Sequence, residues 1–459
     1  MGYHKKLVDD SAIANDLFEQ SLALTTKAKD LYPAGVTRVS IGTSQLAGQK
    51  KELSIYAQSG DGAFFIDVDG NSFTDFHSNF STLIHGHQHP DIIQAIQSQL
   101  EQGTCFGGPT EADITFASLL CERIPAIERL RFLNSGTEAV MFAIKAARAA
   151  TGRTKIAKFE GAFHGTYDWA EVSVRSNPDT WGNIIHPHSN PPYLNTPDHV
   201  CKDVVVLPFN DIDQSKKILD EHGPSLACLL IDMLPCAAGM MPIERDYLSM
   251  LQEAAHKYKI ITISDEVVCF RLGYHGASAA MEFEPDLVTL GKVVGGGLPI
   301  GVVGGRAEIM EVFAPQGNAP VPQGGTFSAN PLTMVAGAAA LNALVPSEIN
   351  RIDRLGKRLR QGSEELALKA GVLLTVQGAG SLFRFHAKKT RPRTFRSAFA
   401  NAAETEMLRW LHAAMLERGI YIAAPLWGAI STAMTEEHID NFLNALRECL
   451  ARWPEKQKS

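Results

Sequence analysis

From about residue 90 to residue 330, short apolar runs alternate with helix-like stretches, and this alternation limits what the chain can become more than any other feature. The runs lie at 129–132, 155–159, 204–207, 227–232, 260–264 and 287–289, and helical spacing covers 138–150 and the region near 247–258. An α/β fold follows, with a mainly parallel sheet flanked by helices on both faces. In such sheets a ligand sits beyond the carboxyl ends of the strands, so the residues just after each run are the candidates for chemistry.

The flanking segments read differently. Residues 12–31 lack Pro and Gly and set Ile13, Leu17, Leu22 and Leu24 at roughly helical spacing, as in an amphipathic helix stopped by Pro33. A loop carrying Arg38 follows, and then 63–76 alternates apolar and polar residues around Asp69-Gly70-Asn71, a hairpin signal. Beyond Pro331 an Ala-rich helix (333–344) opens a stretch that closes with a helix at 436–453. At 459 residues the chain exceeds what one core serves. The expected division is an N-terminal segment, 1–70, belonging to a small domain; a large domain, 71–332; and the rest of the small α+β domain, 333–459.

Composition excludes several classes. The net charge is -7 and no long stretch is dominated by Lys and Arg, so nucleic acid is not an expected partner. The seven cysteines are scattered and never form a CxxC pair, which argues against a disulfide framework and a zinc site and for a reducing compartment. No metal is expected. Residues 1–10 are polar, and no apolar run approaches the ~20 residues of a membrane span, so a cytoplasmic protein without a membrane partner is expected.

Five places carry candidate chemistry. Asn134-Ser135-Gly136-Thr137-Glu138 joins an apolar run to a helix-forming run, so backbone N–H groups and two hydroxyls sit at a helix start, an anion cradle; alternatively Ser135 merely caps the helix. Asp265-Glu266 ends the run 260–264, where an acid pairs with a protonated ring nitrogen, or is a plain surface pair. Lys292 stands between the apolar run 287–289 and Gly295-Gly296-Gly297, where a desolvated amine suits Schiff-base chemistry; an ordinary surface lysine is the alternative. Phe163, in Phe163-His164-Gly165, offers an aromatic face to a planar ligand, or is a core residue. Gly324-Gly325-Thr326, with Asn330-Pro331, is a second corner of backbone donors, or a plain loop. Neither a GxGxxG nor a P-loop pattern is present at 134–138, which argues against a nucleotide-binding protein.

Taken in order, Asn134-Ser135-Gly136-Thr137-Glu138-Ala139, Phe163-His164-Gly165, Asp265-Glu266-Val267, 289–299 and 324–331 resemble the class III aminotransferases, a fold type I family dependent on pyridoxal 5'-phosphate (PLP). The resemblance runs from about residue 30 to the C-terminus, and within the family it is strongest to the branch holding glutamate-1-semialdehyde aminomutases and the β-phenylalanine and D-phenylglycine aminotransferases. It implies that Ser135, Gly136 and Thr137 bind the cofactor phosphate, joined by Thr326 from the partner subunit of a homodimer. Phe163, where the family usually has Tyr, would stack on the pyridine ring beside His164, with Val267 on the other face. Asp265 would keep the ring nitrogen protonated, and Lys292 would hold PLP as a Schiff base and then carry the proton.

For the substrate, the resemblance puts Arg38 near the arginine that binds a carboxylate, Phe80 at a pocket tryptophan, and Tyr167 and Trp169 beside it. Three departures stand out. The mutases have a Glu at Leu426 and the β-phenylalanine enzymes an Arg near Pro425; residues 168–176 replace a glycine- and serine-rich gate; and Asp232-Met233 replaces a common Glu-Pro, for a reason the sequence does not supply. The implied activity is a ping-pong aminotransferase that moves the amine of an amino acid, β- or D- and apolar or aromatic, or of a simple amine, to a keto acid or aldehyde. The alternatives are a glutamate-1-semialdehyde-type 2,1-aminomutase, a racemase or decarboxylase on the same scaffold, and a non-catalytic binding protein of the same fold.

Overall fold

The computed structural model describes residues 18–38, 44–45, 52–316 and 320–456. They divide into two compact units: the first takes the residues up to His89, Arg351–Arg391 and those from Ala400 onward, and the second takes Pro90–Asn350 with Pro392–Phe399.

The second unit is built on a seven-stranded sheet ordered Val204–Leu207, Lys155–Phe159, Leu226–Ile231, Ile261–Asp265, Leu287–Gly291, Gly301–Gly305, Arg129–Leu133. The first five strands are mutually parallel. Gly301–Gly305 runs antiparallel to both of its neighbours, so the mainly parallel sheet contains one reversed strand that the apolar runs did not announce. Every residue of the inner strand Leu226–Ile231 is buried, as a strand covered on both faces requires. Because four parallel strands lie side by side, Glu160, Asp232, Asp265 and Lys292, each at or just past a strand's end, collect along one edge of the sheet.

The helix Gly136–Thr151 packs on that sheet through Ala139, Val140, Ala143, Ile144 and Ala147, all fully buried. Its start is fixed by Ser135, whose hydroxyl accepts from the Glu138 N–H, and its end by Gly152 in the left-handed conformation (φ 69°). Helices also appear over Arg245–Tyr258 and Pro331–Ala343, close to their expected bounds.

In the first unit, the hairpin expected at 63–76 forms from Phe64–Asp67 and Ser72–Asp75, with Phe65 opposite Phe73. The Asp67 carboxylate accepts from the Asp69 and Asn71 N–H groups (3.0 and 2.7 Å) and closes the turn. Ile420–Tyr421 adds to the hairpin as a parallel strand, and Phe18, Leu53, Phe65, Phe73 and Leu416 form the core against it. A helix covers Glu19–Leu31; the part expected at 12–17 lies outside the described residues. The terminal helix spans Glu436–Lys456. Among the described residues no single helix is long and apolar enough to cross a membrane.

Candidate active site

Asp265 ends the strand Ile261–Asp265 almost fully buried, and the pattern of its hydrogen bonds defines its charge. His164 Nδ1 lies 2.7 Å from Oδ2, while Oδ1 accepts from the Val267 N–H and the Thr289 hydroxyl, each at 3.1 Å. Burial alone would raise its pKa; the hydrogen bond and charge of His164, the Val267 amide and the charge of Lys292 outweigh that, and the net shift is downward. Asp265 is therefore an ionised acceptor. His164 donates from Nδ1, its own pKa pushed down by burial against the hydrogen bond and charge of Asp265, and its Nε2 is buried with no hydrogen-bond partner among the described residues.

Glu266, the other half of the acid pair, points away from this chemistry. It accepts from the Ala277 and Ser278 N–H groups (2.6 and 2.9 Å) and from the Ser278 hydroxyl, and so serves the chain turn at 277–280.

Lys292 follows the strand Leu287–Gly291 in a left-handed conformation (φ 48°), an uncommon state for a residue other than glycine. Burial pushes its amine below the usual lysine range, with the charge of Asp265 pulling it partly back. Asp232 shares this edge. Burial, then the charge of Asp265, pushes its carboxyl up to about 8, so it is protonated at neutral pH. The sheet edge thus holds one ionised acid, one neutral acid and an amine that gives up its proton readily.

The anion cradle and the ring-bearing loop are joined. Thr137 Oγ1 accepts from the Thr166 N–H at 3.2 Å, and at Gly165 (φ 88°) a Cβ would lie 2.5 Å from that same oxygen, so Phe163-His164-Gly165 sits directly against the helix start. Ser135 does cap the helix, as the plainer sequence reading had it, yet its own O–H and the first-turn N–H groups of Gly136 and Thr137 have no partner within the helix. Gly301 is needed here: a Cβ on it would strike the Ser135 carbonyl. Phe163 is 46% exposed although residues 159–162 and His164 are buried, an open aromatic face in a buried segment. Val267 packs against Gly136. These groups fit PLP: an amine for its aldehyde, an ionised acid for its ring nitrogen, an open ring for its face and helix-start donors for its phosphate.

Of the remaining predicted residues, the corner 324–326 approaches the cradle through Gly325, beside Asn134, and Tyr167 follows the Thr166 that bonds Thr137. Thr326 is exposed on the segment 320–330, whose Asn330 caps the helix Pro331–Ala343 through its side chain. Tyr167 and Trp169 belong to the second unit, ring centroids 5.0 Å apart, packed on its core, with the Arg148 guanidinium 4.7 Å over the indole. Arg38 and Phe80 belong to the first unit. There Ser78, Asn79, Phe80 and Ser81 all have positive φ (47°, 48°, 55° and 68°), a left-handed turn that costs roughly 1–2 kcal/mol per residue. Arg38 Nη1 donates to Asn79 Oδ1 at 2.8 Å, and Phe80 lies 5.7 Å from Trp427. Sequence reasoning missed Thr289, whose signal was a hydroxyl within a buried apolar run, and Asn79, which had none.

The class-III aminotransferase family model matches residues 46–450. A glutamate-1-semialdehyde 2,1-aminomutase of Thermodesulfovibrio yellowstonii is 36% identical over 428 residues, 92% of this chain and 98% of that protein. Among solved structures, an omega-transaminase from Sphaerobacter thermophilus superposes with a TM-score of 0.90 at 42% identity, over 95% of this chain and 98% of that one. A β-phenylalanine aminotransferase from Variovorax paradoxus gives a TM-score of 0.83 at 29% identity, over 95% and 94%.

Proposed function

The chain belongs to the class-III aminotransferases, PLP-dependent enzymes of fold type I, and we propose that it transfers the amine of a carboxylate-bearing amino acid with an apolar or aromatic group to a keto acid or aldehyde by a ping-pong cycle. The observation that carries this reading is Asp265, kept ionised by three hydrogen bonds, sharing an edge with the desolvated Lys292. PLP, when bound, supplies an electron-withdrawing ring that stabilises negative charge on the substrate carbon. With PLP bound, Asp265 would keep that ring protonated, Phe163 would offer it an aromatic face, and Ser135, Gly136 and Thr137 would hold its phosphate. Lys292 Nζ, low in pKa, takes the proton from the substrate carbon and returns it at the other end of the transfer. Arg38 binds the substrate carboxylate, beside an apolar wall to which Phe80 contributes.

The same reading makes the enzyme a homodimer in the cytoplasm, with Thr326 of one subunit completing the phosphate site of the other. Its exposure in the single chain supports this. A second reading, the aminomutase, is favoured by the 36% identical relative. Against it stand Leu426 in place of the acid of the mutases and residues 168–176, with Trp169 packed on the core, where they have a gate. The test is a half-reaction: PLP-loaded protein is mixed with L-, D- and β-amino acids and simple amines, and the change in cofactor absorbance on taking up the amine is followed, with Lys292→Ala as control. Conversion by a carboxylate-bearing donor supports the proposal. Bound PLP with no conversion by any donor overturns it in favour of the mutase, and failure to bind PLP in favour of a non-catalytic protein.

A further inference from the structure

The left-handed turn Ser78–Ser81 is held in place with some care. Asp75 Oδ1 accepts from the Ser78 N–H at 2.8 Å, the Ser78 hydroxyl donates to the Asp75 carbonyl at 3.2 Å, and Asp75 Oδ2 is itself 2.9 Å from His87 Nε2. His77 Nδ1 accepts from the Phe80 N–H at 3.1 Å, which only an unprotonated Nδ1 can do. Backbone strain persists only where its surroundings over-determine it, and it gathers at functional sites. The visible product of this strain is the placement of two side chains: Phe80, against His77 and Trp427, and Asn79, exposed, with its amide oxygen on Arg38.

The chemistry of that last contact is specific. An acidic residue in Asn79's position would orient Arg38 equally well but would cancel its charge. A neutral amide takes one of the five guanidinium N–H donors and leaves the charge and the remaining donors for a carboxylate. We propose that Asn79 is a specificity-determining positioning residue, which aims Arg38 at a substrate carboxylate and thereby makes the enzyme prefer amino acids to amines lacking one. This rests on the reading of Arg38 as the carboxylate anchor. The plainer alternative is that Asn stands here because, among residues with a Cβ, it tolerates the left-handed conformation well.

Asn79→Gly separates the two, because glycine enters this conformation without strain and keeps the turn while removing the amide. The measurement uses PLP-loaded full-length protein with 3-amino-3-phenylpropanoate and 1-phenylethylamine as donors, and calorimetric binding of 3-phenylpropanoate, which cannot react. Asn79→Gly is expected to lower the preference for the carboxylate donor about tenfold, through KM rather than kcat, as loss of a charge-assisted hydrogen bond implies. Asn79→Asp lowers it further, and 3-phenylpropanoate binding weakens in parallel in both. If Arg38→Met abolishes the preference while both Asn79 variants retain it, Arg38 is the anchor and the role given to Asn79 is wrong. If Arg38→Met has no effect, or the unaltered protein does not bind 3-phenylpropanoate, the carboxylate reading itself fails and Asn79 falls with it.

Discussion

Lys158 is fully buried on the strand Lys155–Phe159, and among the described residues no carboxylate is hydrogen-bonded to it. Its amine donates to the carbonyls of Ala162 and Val172 at 2.8 and 2.7 Å, tying the loop that carries Phe163 to the segment that follows Trp169. Burial pushes its pKa down to about 7, the charge of Glu171 opposing this. Lys158→Met would leave two buried carbonyls unpaired at about 1–3 kcal/mol each, so a marked fall in melting temperature is expected. The pH dependence has a definite sign. Between pH 7 and the ordinary lysine range the unfolded chain holds a proton that the folded one lacks, so Lys158 makes stability rise with pH in that window, and the Met variant should lose that rise. Asp232 acts oppositely: protonated in the fold up to about 8 and ionised when unfolded above about 4, it makes stability fall with pH between those values. Asp232→Asn should therefore raise the melting temperature more at pH 8 than at pH 5.

Among the elements, the strand Gly301–Gly305 and the helix start at Ser135 depend on each other through a missing side chain. Gly301→Ala would drive a methyl group into the Ser135 carbonyl, so the cradle must shift; we expect the protein to fold with PLP affinity lowered at least tenfold, measured by titrating the cofactor into the apo-protein. This pairing also marks where the sequence was legible and where it was not. Long periodic helices and continuous apolar strands were readable because burial dictates their composition, as in Leu226–Ile231. The strand Gly301-Val302-Val303-Gly304-Gly305 was not, because its composition answers to backbones pressing on it, not to a pleated surface. The left-handed turn at Ser78–Ser81 could not be read either: local propensity opposes it, and Asp75 and His77 folding back onto the chain help sustain it. Of the site, Asp265, Lys292 and the Ser135 cradle were visible as residues at element ends, whereas the hydroxyl of Thr289 reaches Asp265 from the neighbouring strand, a register that no local pattern encodes.

At the scale of the whole molecule, the chain leaves the first unit at Pro392 and returns to it at Ala400. That short passage is fastened within the second unit. Arg396 makes a two-bond fork to the buried Glu160 (2.8 and 3.0 Å) and donates to the Trp181 and Gly182 carbonyls, while Arg393 forks to Glu244. Glu160→Gln would leave the Arg396 charge without its partner and is expected to cost about 3 kcal/mol, read as a lower urea midpoint; the exposed Arg393–Glu244 fork, broken by Glu244→Gln, should cost under about 1 kcal/mol. The arrangement of the first unit also has a consequence for biosynthesis. The Phe64–Asp75 hairpin leaves the ribosome early, but Leu416, Ile420 and Tyr421, which cover Phe65 and Phe73 and extend its sheet, are translated near the end. For most of the time the nascent chain is growing, a greasy strand pair stands open at its head, so a transcript cut short after residue 399 should yield chaperone-bound or aggregated product instead of a folded fragment.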